Sequence, residues 1–85
     1  MGTYQPPRIL KRWTVDVPKG ELYDLMIFAD GRVCSATGRY AASSGASYCT
    51  WSEFLDGAMN GLVAKTMGET ILEEARIFIA NYRAS

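Results

Sequence analysis

The sequence has no histidine. That absence removes the Ser-His and Cys-His pairs on which most nucleophilic catalysis depends. Only two cysteines are present, Cys34 and Cys49. Without histidine, the usual structural zinc patterns are therefore missing as well. Two thiols are few for a secreted domain stapled by disulfides. Both are expected to be reduced, small, buried apolar side chains of a cytoplasmic protein, with a Cys34–Cys49 disulfide as the alternative. No apolar run approaches the roughly 20 residues of a membrane span. The opening stretch MGTYQPPRILKRW has no apolar core of a signal peptide, and Pro6 stands where a myristoylation motif needs Ser or Thr. Net charge is lacking too: nine basic residues balance nine acidic ones. Neutrality disfavours both a nucleic-acid mimic and a strong sequence-independent nucleic-acid binder.

Catalytic signatures are equally scarce. No Gly-x-Ser-x-Gly, Ser-x-x-Lys or Walker A pattern occurs. The small-residue stretch TGRYAASSGASYCT (residues 37–50) holds Ser43, Ser44 and Ser47, but no base to activate them. It reads as a loop or short fourth strand, with an anion-binding nest of its amides and Arg39 as the alternative. Glu69, Glu73 and Glu74 read as the solvated, dipole-favoured start of a helix rather than as a metal or acid site. The chain is thus expected to be no enzyme and to hold no metal or cofactor.

What remains is a well-patterned small domain. Its 85 residues are 48% hydrophobic, too apolar for disorder. Residues 1–7 read as a flexible, extended arm carrying Pro6 and Pro7, and residues 8–85 as one domain. ILKRWTVDV (residues 9–17), ELYDLMIFA (21–29) and RVCSATG (32–38) alternate as strands. Pro18-Lys19-Gly20 suits a three-residue hairpin loop, and Asp30-Gly31 a two-residue type I′ turn. Together these turns set Trp13 opposite Leu25, Val15 opposite Tyr23, Ile27 opposite Cys34 and Leu25 opposite Ala36. One face then gathers Trp13, Val15, Tyr23, Leu25, Ile27, Cys34 and Ala36, and is expected to lie under helices. The other carries Leu10, Arg12, Met26, Phe28 and Val33 as an apolar patch with one cation.

Thr50-x-x-Glu53 forms a capping box. Behind it Trp51, Phe54, Leu55, Ala58, Met59, Leu62 and Val63 make a helical stripe ending at Gly68. A second helix carries Ile71, Leu72, Ala75, Phe78, Ile79 and Tyr82. Gly57 and Gly61, four apart in the first helix, cost roughly 1 kcal/mol each relative to alanine. Close packing of a second helix or of a partner backbone is the expected compensation. The fold class is therefore α+β: an antiparallel meander of three strands, or four if residues 39–49 add another, followed by two C-terminal helices on one sheet face.

The bare patch and the 38–49 stretch are the surfaces left for function. Leu10, Arg12, Met26, Phe28 and Val33, with Arg39 and Tyr40, are expected to bind a protein partner, which the chain would inhibit or modulate. The same patch would serve as a homodimer seam. In length and α+β economy the chain is similar to the small inhibitors carried by phages and mobile elements, anti-CRISPR proteins among them. The likeness covers no motif, so no residue role is carried over. A nucleic-acid-binding regulator using Arg8, Lys11, Arg12, Arg32 and Arg39 is a second reading, and a small-molecule or anion binder a third.

Overall fold

The computed structural model describes residues 7–16, 22–37 and 46–84. Strands β1 (Ile9–Asp16), β2 (Leu22–Phe28), β3 (Arg32–Thr37) and β4 (Ala46–Thr50) form one antiparallel sheet in the order β1-β2-β3-β4. Helices α1 (Trp51–Leu55), α2 (Asn60–Met67) and α3 (Glu69–Ala84) follow. The α+β meander with a fourth strand is what the chain adopts. Among the described residues no helix is long and apolar enough to cross a membrane.

The pairing of β1 with β2 follows the expected register, with Trp13 opposite Leu25 and Val15 opposite Tyr23. The loop between them, including Pro18-Lys19-Gly20, lies outside the described residues. The next hairpin differs from expectation by one residue. Ile27 pairs with Val33 and Leu25 with Ser35, while Met26 pairs with Cys34. Partners across an antiparallel pair share a face, so the shift turns the whole of β3 over. Val33 lies on the helix side, fully buried, and Cys34 and Ala36 lie on the other face.

The turn explains the shift. Ala29, Asp30 and Gly31 form a three-residue loop, with Gly31 N–H donating to the Phe28 carbonyl at 3.2 Å. Only Gly31 takes a positive φ there, +97°. A type I′ turn would place Asp30 in that region as well, where a residue with a Cβ is disfavoured. Asp30 instead bonds the next strand, accepting from the Arg32 backbone N–H at 3.2 Å and from Arg32 Nε at 2.9 Å. The core gains as well, since valine brings more apolar surface than cysteine.

The core is Leu25, Ile27, Val33, Phe54, Val63, Met67, Ala75 and Ile79. Trp13, Val15, Tyr23, Cys49 and Trp51 close around it. All three helices thus sit on the face of Leu25 and Ile27, as the alternation predicts. Trp13 also ties β1 to α3, its Nε1–H donating to Glu74 Oε1 at 3.1 Å. Trp51 meets Tyr82 edge to face at 5.5 Å.

The helical region departs from expectation in one respect: three helices stand where two are predicted. The capping box is present, Glu53 N–H donating to Thr50 Oγ1 at 3.1 Å and Thr50 N–H to Glu53 Oε1 at 2.8 Å. One turn later α1 stops. Gly57 has φ +117°, its N–H donating to the Phe54 carbonyl, and Ala58 N–H reaches back to the Glu53 carbonyl at 2.9 Å. Those two bonds make a Schellman C-cap. Met59 then enters α2 with φ +64°. Gly57 is therefore required for its backbone conformation, and a Cβ on either Gly57 or Gly61 would meet nothing within 4 Å. Neither glycine has a second helix of this chain packed closely on it, so that arm of the expectation does not hold. Gly68 does end α2 as expected, with φ +101°.

A polar clamp holds the new corner. Arg76 of α3 donates from Nη1 to the Phe54 carbonyl at 3.1 Å and from Nη2 to the Leu55 carbonyl at 3.1 Å. Its Nη1 also bonds Asn60 Oδ1, and Asn60 Nδ2 donates to the Phe54 and Ala58 carbonyls, each at 2.9 Å. The last carbonyls of a helix have no partner within it, and these part-buried ones find theirs here.

Two consequences can be measured by thermal denaturation. Gly57→Ala is expected to cost about 1–2 kcal/mol, because alanine must adopt a positive φ. Gly61→Ala, on an open helical surface, is expected to stabilise by about 0.5–1 kcal/mol. Equal effects of the two substitutions would contradict the separate roles. Arg76→Ala is expected to cost about 2 kcal/mol, because the part-buried Leu55 carbonyl and Asn60 Oδ1 lose their donor, lowering Tm by roughly 10 °C for a domain of this size. Arg76→Lys should recover only part, since one ammonium cannot span both carbonyls as a planar fork does.

Candidate functional site

Among the described residues every helix lies on one side of the sheet, which leaves the opposite side as the candidate surface. Alternation from the observed registers places Arg12, Thr14, Asp24, Met26, Phe28, Arg32, Cys34, Ala36, Ala46 and Tyr48 there. Of the expected patch, Arg12, Met26 and Phe28 lie on this face. Val33 does not: the one-residue hairpin shift puts it in the core at 0% exposure. Leu10 is also displaced. The pairing slips between Ile9 and Lys11, so Leu10 is the extra residue of a bulge and Ile9 takes the place opposite Phe28. Ile9 is 43% exposed. Arg39 and Tyr40 lie outside the described residues, as do Ser43 and Ser44.

The centre of the face is a cation between two rings. Arg32 Cζ lies 5.5 Å from the Phe28 ring centre and 5.7 Å from that of Tyr48. The three residues sit on adjacent strands, so a row of Phe28, Arg32 and Tyr48 crosses β2, β3 and β4. Asp30 pairs the same guanidinium at 2.9 Å. Tyr48 is 58% exposed and offers the largest accessible apolar surface of the row. Its role escapes the sequence reading because the stretch before Cys49 is dominated by small residues. The alternation of Ala46, Tyr48 and Thr50 was the available signal.

Beneath this row Cys34 is buried at 2% exposure, although it faces away from the helices. Met26 and Tyr48 flank it on the neighbouring strands. Burial pushes its thiol up from the ordinary range, against the hydrogen bond with the Tyr48 hydroxyl and the charge of Arg32. Cys49, opposite Val33, is on the helix face, and burial raises its thiol too. Both thiols are free and they stand on opposite faces of the sheet, which excludes a bond between them within one chain.

The other end of the face is polar. Asp24 accepts from Thr14 Oγ1 at 2.6 Å and from Arg12 at 2.8 Å. Burial alone would raise the Asp24 carboxyl, but the hydrogen bonds from Thr14 and Arg12 and the charge of Arg12 together hold it below the usual range. Among the described residues, Arg12 and Arg32 of this face are thus each paired with an aspartate. Lys11 lies on the helix side, over the Trp13 ring at 5.7 Å. Among the described residues, Lys11 is therefore on the opposite face from Arg12 and Arg32, which divides these cations of the nucleic-acid reading. Among the described residues no three Cys, Asp or Glu side chains converge to hold a metal ion.

Comparison with protein-family models, with curated proteins and with solved structures returned no match.

A pH-dependent stability follows from Asp24. Its folded-state acidity is greater than in the unfolded chain, so the stabilisation is complete above the unfolded value of about 4. It is lost as pH falls through the lower folded value. Asp24→Asn is expected to be less stable than the parent at pH 7, with the gap closing at lower pH. Thermal melts across an acid series check this, and a gap independent of pH would contradict it.

Proposed function

We propose that this chain is a small, non-catalytic protein-binding module that inhibits or modulates a partner protein through the helix-free face of its sheet. The observation that supports this reading is the Phe28–Arg32–Tyr48 row. Aromatic and arginine side chains dominate the binding energy of protein interfaces, because they combine large apolar area with directed hydrogen bonding. Here both rings and Asp30 already restrain the guanidinium. Little side-chain freedom is left to lose on docking, which favours affinity from a small footprint. Ile9 and Met26 extend the apolar area on either side, and the Arg12–Asp24 pair supplies a polar margin.

A protein partner suits this face better than a nucleic acid. Phosphate binding depends on unneutralised cations releasing counterions, and among the described residues Arg12 and Arg32 of the face are each paired with a carboxylate. A surface of mixed charge and apolar area matches another protein surface, and a domain of this size acts on its partner by covering it. The small phage-borne inhibitors that the chain resembles in size would work by such occlusion.

Affinity purification from the host with mass spectrometry provides the test. Phe28→Asp is expected to keep the far-ultraviolet circular dichroism of the parent and to lose the captured protein. Leu25→Asp is expected to unfold the domain, since Leu25 is fully buried. Retention of the same protein by the folded Phe28→Asp variant would overturn the reading, and so would salt-sensitive capture of nucleic acid alone.

A further inference from the structure

The two edges of the sheet are built differently. β1 is defended: it carries Lys11, Arg12 and Asp16, and a bulge interrupts its start. Charges and bulges of this kind keep a bare strand edge from pairing with another chain. β4 has none of these devices. Its sequence, Ala46-Ser47-Tyr48-Cys49-Thr50, holds no charge and no proline, and its pairing with β3 is unbroken.

The hydrogen bonds show which groups point outward. Trp51 N–H donates to the Gly31 carbonyl at 2.9 Å, so this pair sits at a hydrogen-bonded position of the β3–β4 ladder. Alternation along an antiparallel ladder then turns the N–H and C=O of Ser47 and Cys49 inward to β3, and those of Ala46, Tyr48 and Thr50 outward. Thr50 agrees, because its N–H is taken by Glu53 Oε1 of the capping box. The outward groups of Ala46 and Tyr48 are left without a partner among the described residues. Unpaired strand groups of this kind are a template for an added strand.

We propose that this edge pairs with β4 of a second copy of the chain, antiparallel, about a two-fold axis beside Ser47. That register sets Ala46 opposite Tyr48 of the second copy, and Tyr48 opposite its Ala46. Every outward N–H and C=O of the two residues then meets its counterpart, and the Thr50 N–H stays in its cap. The side chains agree with the same axis. On the helix-free face each Tyr48 ring lies beside an alanine, which leaves it room. On the helix face Ser47, an exposed residue, meets Ser47 of the second copy with no like charge opposed. A self-complementary patch of this kind is what a two-fold interface requires. The two sheets become one, and the Phe28–Arg32–Tyr48 row continues into its symmetry mate. A domain this small also gains stability from the association.

The test is sedimentation equilibrium of the full chain over a concentration series. The parent is expected to approach twice its 9.4 kDa mass at the upper end. Ser47→Lys and Ser47→Glu each place like charges across the axis, and each alone is expected to fall back to the single-chain mass. An equimolar mixture of the two is expected to recover the doubled mass, because opposite charges then face each other. A parent that stays at the single-chain mass throughout overturns the proposal. So does a doubled mass that neither substitution alters, or a mixture that does not recover it. Phe28→Asp is expected to leave the doubled mass unchanged, which separates this outcome from that of partner capture.

Discussion

The helical layer is held in place by one guanidinium. A helix of a single turn leaves its final carbonyls without partners, and α1 is such a helix, stopped by Gly57 and followed by a left-handed Met59. Stopping there is what lets Phe54 point into the core while α2 turns away to deliver Val63 and Met67. Without Arg76 at that corner, the Leu55 carbonyl would lose its donor and the Phe54 carbonyl would keep only Gly57 N–H and Asn60 Nδ2. Arg76 supplies the donors from α3, and Asn60 completes the set from α2. Three helices are thereby fixed against each other at one point, and through Phe54 and Ile79 against the sheet. Among the described residues all the helical mass is thereby committed to one side of the sheet.

How legible this was in the sequence depends on the range of the interaction. The β1–β2 register, the capping box at Thr50 and the break at Gly68 are written in short, local signals and are all present in the fold. The β2–β3 register was less readable, because Asp30-Gly31 serves either a two-residue or a three-residue loop. The difference lies in one residue's φ, which the dipeptide does not specify. Gly57 misled for a similar reason. Paired with Gly61 it suggests a packing stripe, whereas with Asp56 before it, it marks a helix end. Arg76 carried no sequence signal at all: an arginine on the flank of a helix looks solvated until the carbonyls it meets, some 20 residues earlier, are brought beside it.

The candidate face shows the same division. Phe28, Met26 and Arg12 were visible because β2 and most of β1 keep strict alternation. Val33 was misplaced by the loop, and Leu10 by a bulge that periodicity does not reveal. Tyr48 was hidden in a stretch of small residues. What unites the observed surface is Arg32, whose partners come from β2 and β4 and so become neighbours only once the sheet has formed.

The three-residue loop between β2 and β3 carries a consequence for how this chain tolerates change. Surface loops normally absorb insertions and deletions with little effect. Here the loop length decides which of two adjacent side chains is interior. With Ala29, Asp30 and Gly31 in place, Val33 fills the core and Cys34 lies beneath Tyr48. Closing the turn over Asp30 and Gly31 alone, with Ala29 opposite Arg32, would invert the strand. A thiol would take the valine's position, and Arg32 would turn toward the helices, away from the rings that hold it. The choice between a three-residue and a two-residue closure of this turn therefore encodes orientation rather than reach, and it acts on the core and the outer face at once.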